Sequence, residues 1–250
     1  MISTSATGGS RVPDRTVTGP KLALVALFIT ALVTAQIIAV KLLQIPLPTD
    51  VPGVGTDILV PAGVLAYAVT FVASDCMVEI YGKKQAQLMV NIGFAMNFVM
   101  LGLLWLAIFA PGSDAGVAPD AFADVLGLST NIVIASLAAY IVSQHWDVYV
   151  FHRLGSWTQG RLLWVRNLGS TITSQLIDTV IFIILAFALV PAVLGVGEVL
   201  PTTVLMQLIL GQYLLKLLIA ALDTPVVYAI VWYIRSYHLT SKMQAERPVH

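Results

Sequence analysis

Apolar positions along this chain run together in blocks instead of alternating with polar ones. Six stretches stand out, at approximately 21–45, 57–81, 86–110, 122–150, 168–190 and 202–234. Each meets or exceeds the ~20 residues that a helix needs to cross the hydrocarbon of a bilayer. Because lipid offers backbone N–H and C=O groups no partner, segments of this composition predict helices, and the alternation of a membrane β-barrel is absent. The pattern predicts an all-α integral membrane bundle of six transmembrane helices. It divides the chain into a polar tail at 1–20, a transmembrane domain at 21–235 and a second tail at 236–250.

Composition agrees: 58% of the 250 residues are hydrophobic and only 10% are charged, against roughly 25% charged in a soluble domain. A water-soluble fold could not hide that much apolar surface. Basic and acidic residues balance at 13 each, so no net field points to nucleic acid as a partner. Their placement is more informative. Arg11, Arg15 and Lys21, then Lys83 and Lys84, then Arg153, Arg161 and Arg166, and finally Arg235, Lys242 and Arg247 make up eleven of the thirteen basic residues. They fall in the N-terminal segment, the second and fourth connections and the C-terminal tail. The remaining connections carry Asp50, Asp114, Asp120 and Glu198 and no Lys or Arg. This asymmetry predicts a multi-pass protein of the cell membrane with both termini cytoplasmic. The first twenty residues, rich in Gly, Ser and Pro, predict a disordered tail; the apolar run after them is too long for a cleaved signal.

Candidate chemistry comes from the few polar residues inside the runs. On a helix turning ~100° per residue, Gln212, Lys216 and Asp223 fall within about 40° of one another. Lys216 lies ~28 Å of helical rise from Arg235, so its ammonium cannot snorkel to the basic face and needs an acid or a wet cavity. Lys41, five residues before Pro46, is predicted to snorkel at the end of the first helix. In ASDCMVEIYGKKQA (73–86), Asp75 and Glu79 share one helix face, with Lys83 four residues beyond Glu79. SQHWDVYVF (143–151) and SQLIDTVIF (174–182) match at Ser143 and Ser174, Gln144 and Gln175, Asp147 and Asp178, and Phe151 and Phe182. Consecutive membrane helices run in opposite directions, so this repeat places two Gln–Asp pairs in opposed orientation, a local form of inverted-repeat transporter architecture. Gly93, Gly102 and Gly127 predict close helix approach. Pro61 is placed one turn inside the second helix, and Pro225 predicts a local kink in the sixth.

Buried amides and hydroxyls are well explained as interhelical hydrogen-bonding glue, at about 0.6 kcal/mol each. Carboxylates are not, because so small a gain does not offset the cost of an ionised group in lipid. Asp75, Asp147, Asp178 and Asp223 together with Lys216 therefore predict a polar cavity that binds or passes something. A carboxylate beside an amide suits a planar ligand with donors and an acceptor on one edge, such as a guanine-type ring, and Trp146, Tyr149, Phe151 or Phe182 could stack on it.

Those motifs, with VRNLGSTITSQLIDTVIF (165–182), resemble the queuosine precursor transporter family, also grouped with vitamin uptake transporters. The resemblance covers about residues 20–235. It implies import of 7-deazaguanine precursors, 7-cyano-7-deazaguanine and 7-aminomethyl-7-deazaguanine, for salvage into modified tRNA bases. Family motif positions fall on Asp75, Glu79, Tyr81, Gly82 and Lys83, on Ser143, Gln144 and Asp147, and on Arg166, Asn167, Ser170, Thr171, Ser174, Gln175, Asp178 and Thr179. Ser74 and Val78 depart from the Thr expected at both. The expected substrate-binding set is Asp75, Glu79, Gln144, Asp147, Gln175, Asp178 and Lys216; Asp178 with Gln175 and Asp147 with Gln144 are expected to form the base-recognition surface, and Lys216 to pair with Asp178 or Asp147 when the site is empty.

Three other readings stay open. The chain has no GxxxxGK[ST] phosphate loop, so a binding subunit for a vitamin or nucleobase would need separate ATPase partners. An ion or proton channel would use the same acids. An intramembrane enzyme lacks support: neither HExxH nor GxSxG occurs, His145 and His152 sit at a helix end beside basic loops, and the single Cys76 builds no cluster. No metal or cofactor is predicted. A homodimer remains open.

Overall fold

In the computed structural model of the chain, residues 19–51, 55–113, 115–158 and 163–245 are described. Arg11, Arg15, Asp114, Arg161 and Arg247 lie outside the described residues, as do the side chains of Arg166 and Asn167. The elements in order are α1 (Gly19–Ile38), β1 (Leu42–Val51), β2 (Gly55–Pro61), α2 (Gly63–Tyr81), α3 (Lys83–Phe109), α4 (Pro119–Gly127), α5 (Ser129–Trp157), α6 (Leu163–Ile184), a π-helical turn at Leu185–Leu189, α7 (Val190–Leu194) and α8 (Thr202–Ala245). Six membrane-length apolar spans result, α4 with α5 forming one and α6 through α7 another. The fold is a six-helix membrane bundle.

These helices are apolar nearly all round, which is what lipid demands and water forbids. Large hydrophobic side chains point outward throughout, with Phe109 at 78% and Trp232 at 69% exposure. Two interior clusters hold the bundle. One joins α1, α2, α3 and α8 through Leu24, Phe28, Met77, Met89 and Val231. The other joins the end of α1 to α5, α6 and α8 through Ala39, Ala135, Ala139, Ile183 and Leu208, where small alanines let the helices close up. The most extensive packing is α5 on α6 and α1 on α2, while α8 packs on α2, α6 and β2.

The first connection departs from the sequence expectation. Residues 42–45 and 57–61, read as helix, belong to an antiparallel hairpin in which Leu42 pairs with Pro61 and Ile45 with Ile58. Pro46, Pro48 and Pro61 explain this, since each lacks an N–H and pushes the residue before it toward extended backbone. Pro61 therefore ends β2 and is not inside α2, and Lys41 stands exposed in the turn after α1. Strand pairing satisfies the hairpin's backbone, and Val60 is fully buried against the bundle. β2 meets α8 at Gly211, where the Leu59 carbonyl oxygen and Ile58 Cγ2 occupy the space of a side chain.

Gly82, at φ 85°, is the single residue between α2 and α3. A side chain is strained there, so glycine permits the abrupt turn. Of the other glycines, Gly93 touches Phe28 and Leu32 of α1, whereas Gly102 faces open space and mediates no close approach. Pro225 does not interrupt α8, which continues past it to Ala245. Pro191 has the larger local effect: it cannot donate to the Phe187 carbonyl four residues back, the helix widens into the π turn, and that carbonyl accepts the Leu200 N–H at 3.0 Å.

Candidate functional site

The repeated SQxxD units sit on α5 and α6, which run antiparallel in contact along their length. Within each helix, Ser and Asp are four residues apart and share a face. Across the pair they bond reciprocally. Ser143 Oγ donates to Asp178 Oδ1 at 3.3 Å, and Ser174 Oγ donates to Asp147 Oδ1 at 3.2 Å. The serine of each copy thus holds the aspartate of the other, the contact pattern of a local two-fold axis between the helices. Both hydroxyls also lean back on their own helix, with Ser143 bonding the Tyr140 carbonyl and Ser174 that of Thr171.

Lys216 of α8 closes the arrangement. Its Nζ lies 2.6 Å from Asp178 Oδ2, with side-chain exposures of 3% and 16%. The same ammonium stands 5.2 Å from the centre of the Tyr67 ring of α2, a cation–π distance. A carboxylate that accepts from Ser143 and Lys216 together has both oxygens occupied by donors and its charge neutralised, which makes it tolerable inside a bilayer.

This ion pair faces a cavity lined by α1, α2, α3, α5, α6 and α8 and, at the foot of the hairpin, by Pro61. The cavity volume is about 80 Å³. Its polar wall comprises Asp178, Lys216, Tyr67, Gln36, Ser136, Tyr140 and Gln212. Its aromatic wall includes Phe94 and Phe182, the former 4.4 Å centre to centre from Tyr140. Gln36 of α1 and Ser136 of α5 hydrogen-bond each other at 3.0 and 3.3 Å, fixing one end of the cavity. Gln212 has its side-chain oxygen buried with no hydrogen-bond partner.

Of the seven site residues expected from sequence, Asp178 and Lys216 line this cavity. Asp147 lies about two helical turns beyond Tyr140 on α5, linked to α6 by Ser174. Gln175 is half-buried outside the cavity, its side-chain oxygen without a hydrogen-bond partner. Gln144 faces outward and is exposed. Asp75 and Glu79 are exposed on α2, two and three turns from Tyr67. Asp75 neighbours the buried Asp223 of α8, making a second acidic locus apart from the cavity. Of the four aromatics considered for stacking, Phe182 reaches the cavity, while Trp146 and Tyr149 point outward.

Gln36, Tyr67, Ser136, Tyr140, Phe94 and Gln212 belong to the site beyond the residues expected from sequence. Gln212 carried a usable signal, one turn before Lys216 on the same stripe, and Gln36 is a lone amide in an apolar run. Nothing in sequence marks Tyr67 or Phe94, which share the cavity only because α2 and α3 pack beside α8 and α5.

Comparison with known proteins gives a consistent picture. A family described as "Putative vitamin uptake transporter" matches residues 61–230. A "Probable queuosine precursor transporter" of Bacillus subtilis (strain 168) is 35% identical over 172 residues, covering 67% of this chain and 69% of the relative. The "Queuosine precursor transporter" of Escherichia coli (strain K12) is 30% identical over 164 residues, covering 65% and 69% respectively. No solved structure matches.

Proposed function

This chain belongs to the vitamin uptake transporter family and is a multi-pass membrane transporter, and on that premise we propose that it imports queuosine precursors of the 7-deazaguanine type. The observation that carries the reading is the Lys216–Asp178 pair, 2.6 Å apart on the wall of a cavity with aromatic sides. The names of the relatives support the substrate class, and family membership points away from catalysis.

In this reading Asp178 accepts the lactam N–H and amino group of the ring, Lys216 donates to its oxo group, and Phe182 and Phe94 hold its faces. Without ligand the two charges neutralise each other. A neutral ring such as 7-cyano-7-deazaguanine then enters without leaving a net charge in a low-dielectric site, whereas a carboxylated ligand would add one. Ser143 positions Asp178 through its hydrogen bond. Asp147 and Gln175 flank the next turn of the α5–α6 hairpin on the way out of the cavity. Gln144, Asp75 and Glu79, exposed and outside the cavity lining, are given no part in this recognition scheme. Both termini are cytoplasmic, as the distribution of Lys and Arg favours.

Uptake of labelled 7-cyano-7-deazaguanine by cells unable to synthesise it tests the proposal. Expression of the chain is expected to confer uptake, and Asp178→Ala to abolish it; undiminished uptake by that variant removes Asp178 from the role. The family's description favours a second reading, a vitamin-binding subunit driven by ATPase partners. Transport by the purified chain reconstituted alone, with a panel of vitamins as competitors, separates the two.

A further inference from the structure

Gln212 is the polar group of the cavity that the ion pair does not explain. It is 7% exposed, it lines the cavity, and its side-chain oxygen is buried without a hydrogen-bond partner. Buried polar atoms are nearly always paired, so an unmet acceptor on a residue that lines the cavity implies a donor that arrives with the ligand once the site opens to admit it. The fold holds Gln212 there. Its neighbour Gly211 lets the Leu59 carbonyl of β2 close directly on α8, sealing this part of the helix from the hairpin side. Gln212 also stands one turn from Lys216 on the same helix face, so one ligand can reach both. By contrast, the other cavity amide, Gln36, already has its partner in Ser136.

Resting on the substrate class above, we propose that Gln212 determines specificity by reading the ring N–H that a free 7-deazapurine base carries where a nucleoside carries its sugar. A neutral 7-deazaguanine has three sets of donors. The lactam N–H and the amino group are adjacent on the six-membered ring and suit the two oxygens of Asp178. The third, the pyrrole N–H, lies on the other ring beyond reach of the same carboxylate, and beside it sits a ring nitrogen that accepts. A carboxamide presents an acceptor and a donor side by side whichever way it is turned, so Gln212 forms a two-bond pair with that edge. Substitution at the pyrrole nitrogen removes the donor and leaves the Gln212 oxygen unmet.

The test is equilibrium binding to the full-length chain in detergent, comparing 7-cyano-7-deazaguanine with the same ring methylated at the pyrrole nitrogen. The wild-type chain is expected to favour the unsubstituted base by about ten- to a hundredfold. Gln212→Leu, similar in volume but without polar atoms, is expected to weaken the unsubstituted base and bring the ratio close to one. If methylation is rejected by size alone, the ratio stays at its wild-type value in Gln212→Leu, and the assignment is overturned. Gln212→Ala provides the same comparison should the leucine variant fail to purify. Failure of the wild-type chain to bind either ring overturns the substrate reading as well; an unchanged ratio in a chain that does bind overturns only the role of Gln212.

Discussion

Two sets of membrane-embedded acids differ in what surrounds them. On the α5–α6 hairpin, each aspartate is held by the serine of the other helix, and Asp178 is also neutralised by Lys216 at the wall of a cavity. Between α2 and α8, Asp223 is buried with one oxygen unpartnered, and its neighbour is another carboxyl, Asp75, away from that cavity. Both sets look alike in sequence: isolated acids in apolar runs. The difference shows that a carboxylate in a membrane helix takes its role from what faces it. A cation and a hydroxyl turn it into a preset acceptor, whereas a second carboxyl leaves it dependent on a proton or on hydration.

The largest effect that breaks the comparison comes from removing one charge of the pair. Asp178→Ala strands a buried ammonium and is expected to destabilise the protein by about 3–5 kcal/mol. Thermal unfolding in detergent measures this loss. The double variant Asp178→Leu with Lys216→Leu is expected to regain most of the stability while uptake stays lost; recovered uptake would show that the pair is structural only.

Next in size is the hairpin contact. Gly211→Ala places a methyl group against the Leu59 carbonyl, and overpacking of this kind costs about 1–3 kcal/mol. Substrate affinity should fall with stability, because Gln212 and the hairpin foot at Pro61 move together. Wild-type affinity in this variant would mean that the hairpin does not shape the site.

The serine rungs come third. Ser143→Ala and Ser174→Ala each remove an interhelical hydrogen bond of about 0.6 kcal/mol. Their stabilities are expected to drop alike, but affinity only in Ser143→Ala, because Ser143 orients the aspartate on the cavity wall. Binding curves for the two variants that overlap would contradict the asymmetry. Smallest of all, Asp75→Asn is expected to leave equilibrium binding of the substrate unchanged, since it lies outside the cavity. A clear loss of affinity there would erase the distinction between the two acidic sets.

The number of spans, the membrane setting and the suspicion attached to Asp178 and Lys216 were legible in the chain itself. Lipid makes each helix satisfy its own backbone and carry its own apolar surface, so every span announces itself in its local composition. A charge far from either interface does the same. Tertiary structure alone decided which acid Lys216 chose, that Tyr67, Phe94, Gln36 and Gln212 share one cavity, and that the first connection folds as a hairpin against Gly211. These are contacts between segments far apart in sequence, set by which helix faces meet. Local composition fixes how much of a helix is apolar but not the direction in which its few polar atoms point once six helices pack together.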